Sequence, residues 1–133
     1  MGKRESGERV VRRVGPEAFR FLPEAGFAGP ADISGGIEYI GHGLRFGIRH
    51  YEWHCEAAVS AFVEWADVPS MARDRVYLNH LYVRCGLGPL NHLPNTARNA
   101  RLTELRVRAF ASVMRELLSF LLGPDRDTLM RTA

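Results

Sequence analysis

The sequence has little cysteine, almost no lysine and no long hydrophobic run. Only Cys55 and Cys85 occur among its 133 residues, too few for a disulfide framework or, by themselves, a four-ligand zinc site. We therefore expect both thiols to be reduced and buried. No stretch reaches the roughly 18 uninterrupted apolar residues of a membrane span, and no apolar segment follows the basic N-terminus as in a signal peptide. These absences favour a cytoplasmic protein.

The basic residues, 17 arginines and one lysine, are unevenly distributed along the chain. The formal net charge is +3, and the excess comes from residues 1–13, because an acidic segment (14–67) offsets a basic one (68–108). We predict a flexible basic arm at 1–13 and a single domain at 14–133. A neutral folded body argues against a general nucleic-acid-binding protein.

The hydrophobic pattern predicts an α+β domain. Apolar and polar residues alternate in three runs that should be strands, at 37–40, 44–51 and 55–65. Apolar spacing of three to four, bounded by Pro and Gly, predicts helices at 16–26, 76–84 and 102–122. The prediction is therefore an N-terminal helix, a three-stranded antiparallel β-meander, and a helical C-terminal half packed on one face of the sheet.

The longest predicted helix carries a row of arginines. Arg101, Arg108 and Arg115 are seven residues apart, so they lie on one line along the helix. Such a row suits a solvated helix face, and also a strip that docks an acidic protein or a nucleic-acid backbone. Because no aromatic residue is interleaved, we favour an acidic protein over RNA. Tyr51 and Trp53 would serve as aromatic anchors, unless they belong to the core. The apolar breadth of the helix also admits a homodimer.

The densest polar cluster is the run from His50 to Cys55. On a strand, His50, Glu52 and His54 would share a face, and two imidazoles with a carboxylate suit a divalent metal. The spacing matches neither the helical metalloprotease motif nor the deaminase motif. The same run also suits a hairpin turn with solvated polar side chains, so the metal site is one of two interpretations.

A looser group surrounds the irregular segment at residues 86–99. His80, Cys85 and His92 could contain a nucleophile pair, but no recognisable nucleophile turn accompanies them. Gly86-Leu87-Gly88 lacks the third glycine and the Lys-Ser/Thr ending of a phosphate loop. We interpret it as the end of a helix.

Several core and turn segments resemble those of other proteins. Phe19-Arg20-Phe21-Leu22, Gly26-Phe27, Ile37-Glu38-Tyr39, the meander through Glu56 and the ending Leu121-Leu122-Gly123-Pro124-Asp125 carry this likeness. They resemble a loose group of small uncharacterised α+β proteins of GC-rich bacteria, some of them similar to immunity proteins of toxin systems. The resemblance spans most of residues 17–130. It implies an architecture, and it implies no catalytic residue.

The favoured hypothesis is therefore a small non-enzymatic protein-binding domain, immunity- or adaptor-like, that docks an acidic partner surface. Two alternatives remain open. One is a metal-assisted enzyme centred on His50, Glu52 and His54, with a divalent metal as its only expected cofactor. The other is a nucleic-acid-binding protein that uses the basic arm and the arginine row.

Overall fold

The computed structural model describes residues 5–71 and 74–131. In these ranges the elements are α1 (Gly7–Ala18), α2 (Phe21–Glu24), β1 (Ala28–Ile33), β2 (Gly36–Gly41), β3 (Leu44–Trp53), β4 (Glu56–Trp65), β5 (Val76–Tyr77), α3 (Leu78–Arg84), α4 (Ala100–Leu121) and α5 (Arg126–Leu129). None of the helices within these ranges combines the length and the apolar character that a bilayer crossing requires.

The sheet has five antiparallel strands in the order β1-β2-β3-β4-β5, so the prediction of a three-stranded meander is wrong. The three predicted strands correspond to β2, β3 and β4. Strand β1 escaped the pattern because it is an almost fully exposed edge strand, whose Pro30 follows a cis peptide bond and gives no apolar alternation. Strand β5 has two residues and runs directly into α3, so its Val76 was counted as part of a helix.

Helix α1 begins at Gly7, and not at Pro16 as the sequence suggested. Its N-cap is Ser6, whose hydroxyl accepts a hydrogen bond from the backbone N–H of Arg9 at 3.2 Å. The sequence predicts residues 7–13 as part of a flexible arm, but they form the first half of this helix, because Val10 and its apolar neighbours are buried against the sheet. Residues 1–4 of the expected arm lie outside the described residues.

The core lies between the sheet and the helices α1 and α4. Leu44, Phe46 and Ile48 of β3 point into it, as alternate residues of a strand must. Helix α4 contributes a buried line of Val107, Phe110, Met114, Leu117 and Leu121. Leu105 lies off this line and is 51% exposed. We call the opposite side of the sheet, which carries the side chains of Arg45, Arg49 and Phe62, the outer face.

Candidate functional site

The end of the β3–β4 hairpin carries two exposed aromatic side chains, Tyr51 and Trp53. The hairpin closes through a two-residue turn, His54-Cys55, whose φ angles of 47° and 66° are left-handed, as the twist of the flanking strands favours. Trp53 is 69% exposed, more than any other large hydrophobic side chain in the described ranges. Aromatic residues are enriched where one protein surface covers another, so this hairpin end is a candidate contact surface.

The start of α4 lies beside this hairpin end. A cleft of about 570 Å³ is lined by Glu52 of β3 and by Arg98 and Arg101 at the start of α4. Neither arginine is ion-paired with another residue that the structure describes. A second carboxylate in the cleft, Glu5, is held by the guanidinium of Arg13 at 2.8 Å, and this hydrogen bond lowers the pKa of Glu5. The two arginines therefore remain available to an external anion.

The other two members of the arginine row lie farther along α4, in a groove of about 460 Å³ between α1 and α4. Arg108 donates from Nε to Glu104 at 3.0 Å and lies 3.8 Å from Glu17. The guanidinium of Arg115 stacks on Phe21, with 5.0 Å from Cζ to the ring centroid. The row is thus continuous along the helix, but these two cations are already engaged within the chain.

The three residues of the suggested metal site do not converge. His50 is half-buried, and its Nε2 lies 3.2 Å from the carbonyl oxygen of Ala97. Glu52 is exposed on β3, and His54 has left the strand and lies in the turn. In the part of the chain that the structure describes, no three His, Cys, Asp or Glu side chains form a group that could hold a metal ion.

The two cysteines occupy different environments, and both are free thiols. Cys55 is exposed in the hairpin turn, so the expectation that both thiols are buried is wrong for this one. Cys85 is half-buried, and burial raises the pKa of its thiol, which opposes the thiolate that a nucleophile needs. His92 instead faces Tyr82, with Nδ1 3.4 Å from the phenolic oxygen.

A charged cluster on the outer face was not recognised from the sequence. Glu64 is 1% exposed and accepts a hydrogen bond from the Ser70 hydroxyl at 2.6 Å. Its carboxylate is 3.3 Å from the guanidinium of Arg45 and 3.6 Å from that of Arg75. Arg45 stands directly opposite Glu64 in the β3–β4 register, so correct strand pairing would have revealed half of this cluster.

The same face carries a cation–aromatic stack on Phe62. The ring lies over Gly47, where an added β-carbon would come within 2.5 Å of the ring. Arg75 packs over the ring at 4.1 Å from its centroid, and Arg49 lies at 5.9 Å. The outer face is therefore polar and densely packed near β5, and exposed near the hairpin end.

Comparison with family models finds no match, and neither the curated proteins nor the solved structures give a significant match. The structure alone therefore defines the class: an α+β domain with a five-stranded antiparallel sheet.

Proposed function

We propose that this chain is a cytoplasmic, non-enzymatic protein-binding domain that docks an acidic surface of a partner protein. The observation that carries the proposal is the exposed Trp53 at the hairpin end. Its neighbour in β3, Glu52, faces the other side of the strand and lines the cleft of Arg98 and Arg101, which have no ion pair with any described residue. We call Trp53, Arg98 and Arg101 the hairpin-end surface.

The chemistry of this surface resembles that of interface hot spots. Tryptophan and arginine are among the interface residues whose truncation to alanine most often weakens binding by about 2 kcal/mol or more. An indole supplies a large apolar area, and a guanidinium can pair with a carboxylate through two parallel hydrogen bonds. Tyr51, 39% exposed on the same strand, would extend the contact.

The remaining arginines of the row would lie at the periphery of the interface. Arg108 and Arg115 are held by Glu104 and by Phe21, so pairing them with a partner means giving up contacts within the chain. We expect them to influence the rate of association more than the final affinity.

The other two functions gain less from the structure. No metal-ligand cluster among the described residues favours the metal-assisted alternative. The nucleic-acid alternative becomes an outcome of the experiment, since phosphate contacts give a steep logarithmic dependence of affinity on salt.

The test begins with the tagged full chain and an extract of its source organism, treated with nuclease. The captured protein is purified and its affinity is measured by titration calorimetry against the wild-type chain, the Trp53→Ala variant and the Arg98→Ala/Arg101→Ala double variant. We expect each change to weaken binding by about 30-fold, which corresponds to about 2 kcal/mol.

Two controls match these variants in chemistry. Leu122→Ala removes an exposed apolar side chain at the far end of α4, and Arg20→Ala removes an exposed charge between α1 and α2. Both should bind as the wild type does. The proposal is wrong if Trp53→Ala binds no more weakly than Leu122→Ala, or if a partner is captured only from extract that has not been treated with nuclease.

A further inference from the structure

A second cleft lies at the edge of the sheet, where strand β4 is covered in two separate pieces. Residues 95–97 pair with one part of β4, with hydrogen bonds of 2.8 Å from Val59 N–H to the Asn95 carbonyl oxygen and from Ala97 N–H to that of Ala57. Strand β5 pairs with β4 only from Phe62 onward. The gap between the two pieces opens into a cleft of about 300 Å³, which we call the edge cleft.

The edge cleft is lined by cationic and neutral polar groups. The residues that line it include Arg49, His80, Ser60, Asn79 and Asn95. No aspartate or glutamate is among the described residues that line it. The described residues that line the cleft therefore provide hydrogen-bond donors and no acidic counter-charge.

Arg49 is the arginine of the outer face that has no carboxylate partner among the described residues. Arg45 and Arg75 share Glu64, and Arg45 also approaches Glu38 at 3.6 Å. The Nε atoms of Arg49 and Arg75 are both buried without a hydrogen-bond partner, but Arg75 has Glu64 as a counter-charge and Arg49 has no carboxylate partner among the described residues. A half-buried guanidinium without a counter-charge is unfavourable, and an anion bound in the cleft would supply one.

Aromatic rings complete the walls. Tyr51 of β3 and Tyr77 of β5 both line the cleft, and Phe110 of α4 contributes from the core side. The cleft volume of about 300 Å³ lies at the lower end of the range for small-molecule sites, which combine apolar walls with a few converging polar groups. The walls thus suit a planar ring, and Arg49 suits the anionic substituent of that ring.

We propose that the edge cleft binds a small aromatic anion whose carboxylate or phosphate group pairs with Arg49. The amides of Asn79 and Asn95 would donate to the remaining anion oxygens, and Tyr51 and Tyr77 would flank the ring. This site does not involve Trp53, Arg98 or Arg101, and it shares only Tyr51 with the proposed partner contact.

The test uses the full chain, labelled with ¹⁵N, and three probes that share a phenyl ring: benzoate, phenyl phosphate and neutral benzamide. We expect at least one of the two anions to shift the backbone amide signals of Ser60, Ala61 and Asn79, and benzamide to leave them unchanged. A larger response to benzoate than to phenyl phosphate would assign a carboxylate ligand, and the reverse a phosphate.

Two variants examine Arg49 directly. Arg49→Met should weaken binding of the effective anion at least about tenfold, as expected when a charge-assisted hydrogen bond is lost. Arg49→Lys keeps the charge without the planar fork and should lose less. The control Arg115→Met removes a guanidinium from the α1–α4 groove and should bind as the wild type does.

Three results would overturn the proposal. These are the absence of anion-induced shifts around the edge cleft, an equal response to benzamide, or an Arg49→Met variant with wild-type affinity. If Arg49→Met does not fold, the wild-type shift map and Arg49→Lys still decide the question. If Trp53→Ala abolishes partner binding without changing benzoate binding, the result supports an anion site that is separate from the partner contact.

Discussion

Replacing Tyr39 by phenylalanine should stabilise the protein. Tyr39 lies on β2, is 0% exposed and packs between the rings of Phe19 and Phe46. Its hydroxyl is buried and has no hydrogen-bond partner among the described residues. A buried polar group without a partner costs about 1–3 kcal/mol, and the Tyr39→Phe change removes that group while keeping the ring.

The size of the gain follows from two opposing effects. Removing the hydroxyl ends its desolvation penalty. The void that remains, roughly 10 Å³, destabilises the protein by only about 0.2 kcal/mol, because a cavity costs about 24 cal/mol per Å³. We expect a net stabilisation of about 1 kcal/mol or more, which raises the Tm of a domain of this size by about 4 °C. Urea unfolding and thermal unfolding at pH 7, followed by circular dichroism, measure both quantities.

The same residue gives the protein a dependence on alkaline pH. Burial raises the pKa of Tyr39 to about 12, whereas in the unfolded chain it ionises near its ordinary value of about 10. Below the unfolded pKa both states are protonated and stability is unaffected. Between the two pKa values only the unfolded state loses the proton, so the free energy of unfolding falls as pH rises, by at most roughly 2.7 kcal/mol.

The Tyr39→Phe variant lacks this alkaline loss, so its advantage over the wild type should widen as pH rises through this window. Tyr51→Phe is the control, because its side chain is exposed and its stability should stay within about 0.5 kcal/mol of the wild type. A Tyr39→Phe variant that is less stable than the wild type at pH 7 would refute the reasoning. It would mean that the hydroxyl has a partner, such as a buried water.

Two further substitutions test the outer face. Glu64→Gln should destabilise the protein by about 3–5 kcal/mol, because it leaves the guanidinium groups around it without their buried counter-charge. The control Glu104→Gln removes a charge from an exposed pair and should cost less than about 1 kcal/mol. Equal losses of stability for the two variants in urea unfolding would contradict the buried cluster. Gly47→Ala should cost about 1–3 kcal/mol, because the new methyl group meets the Phe62 ring. That cost should shrink in a Phe62→Ala background, and an undiminished cost there would count against the contact.

The parts of the fold with regular apolar spacing could be predicted from the sequence, and the parts stabilised by partners distant in the chain could not. Apolar and polar residues alternate along β2 to β4, and apolar residues recur with a helical period along α4, so the sequence predicts each of these elements. Strand β1 is exposed and contains Pro30, and it is a strand only because β2 pairs with it. The buried valines of α1 stand between charged residues, so the sequence of this segment is similar to that of a flexible charged arm.

The candidate sites show the same division. The exposed Trp53 and the arginine row were visible as residue types in a pattern. The edge cleft could not be predicted from the sequence, because Arg49 belongs to the polar alternation of β3 and Asn95 lies in a segment without periodicity. Only the pairing of residues 95–97 with β4 brings them together, and that pairing depends on a contact that no local pattern encodes.

The distribution of charge along the chain is a poor guide to where an external anion would bind, because folding brings acidic and basic segments together. Glu64 from the acidic segment meets Arg75 from the basic one, and Glu17 lies near Arg108. These pairs neutralise much of the segregation seen in the sequence. The cations without a described carboxylate partner are then the ones to examine, and three of them lie in the candidate sites: Arg98 and Arg101 beside the hairpin end, and Arg49 in the edge cleft. Because each place has its own probe and its own control, a failure at one leaves the other standing, and a chain that bound neither a partner nor an aromatic anion would show that unpaired guanidinium groups here are simply solvated.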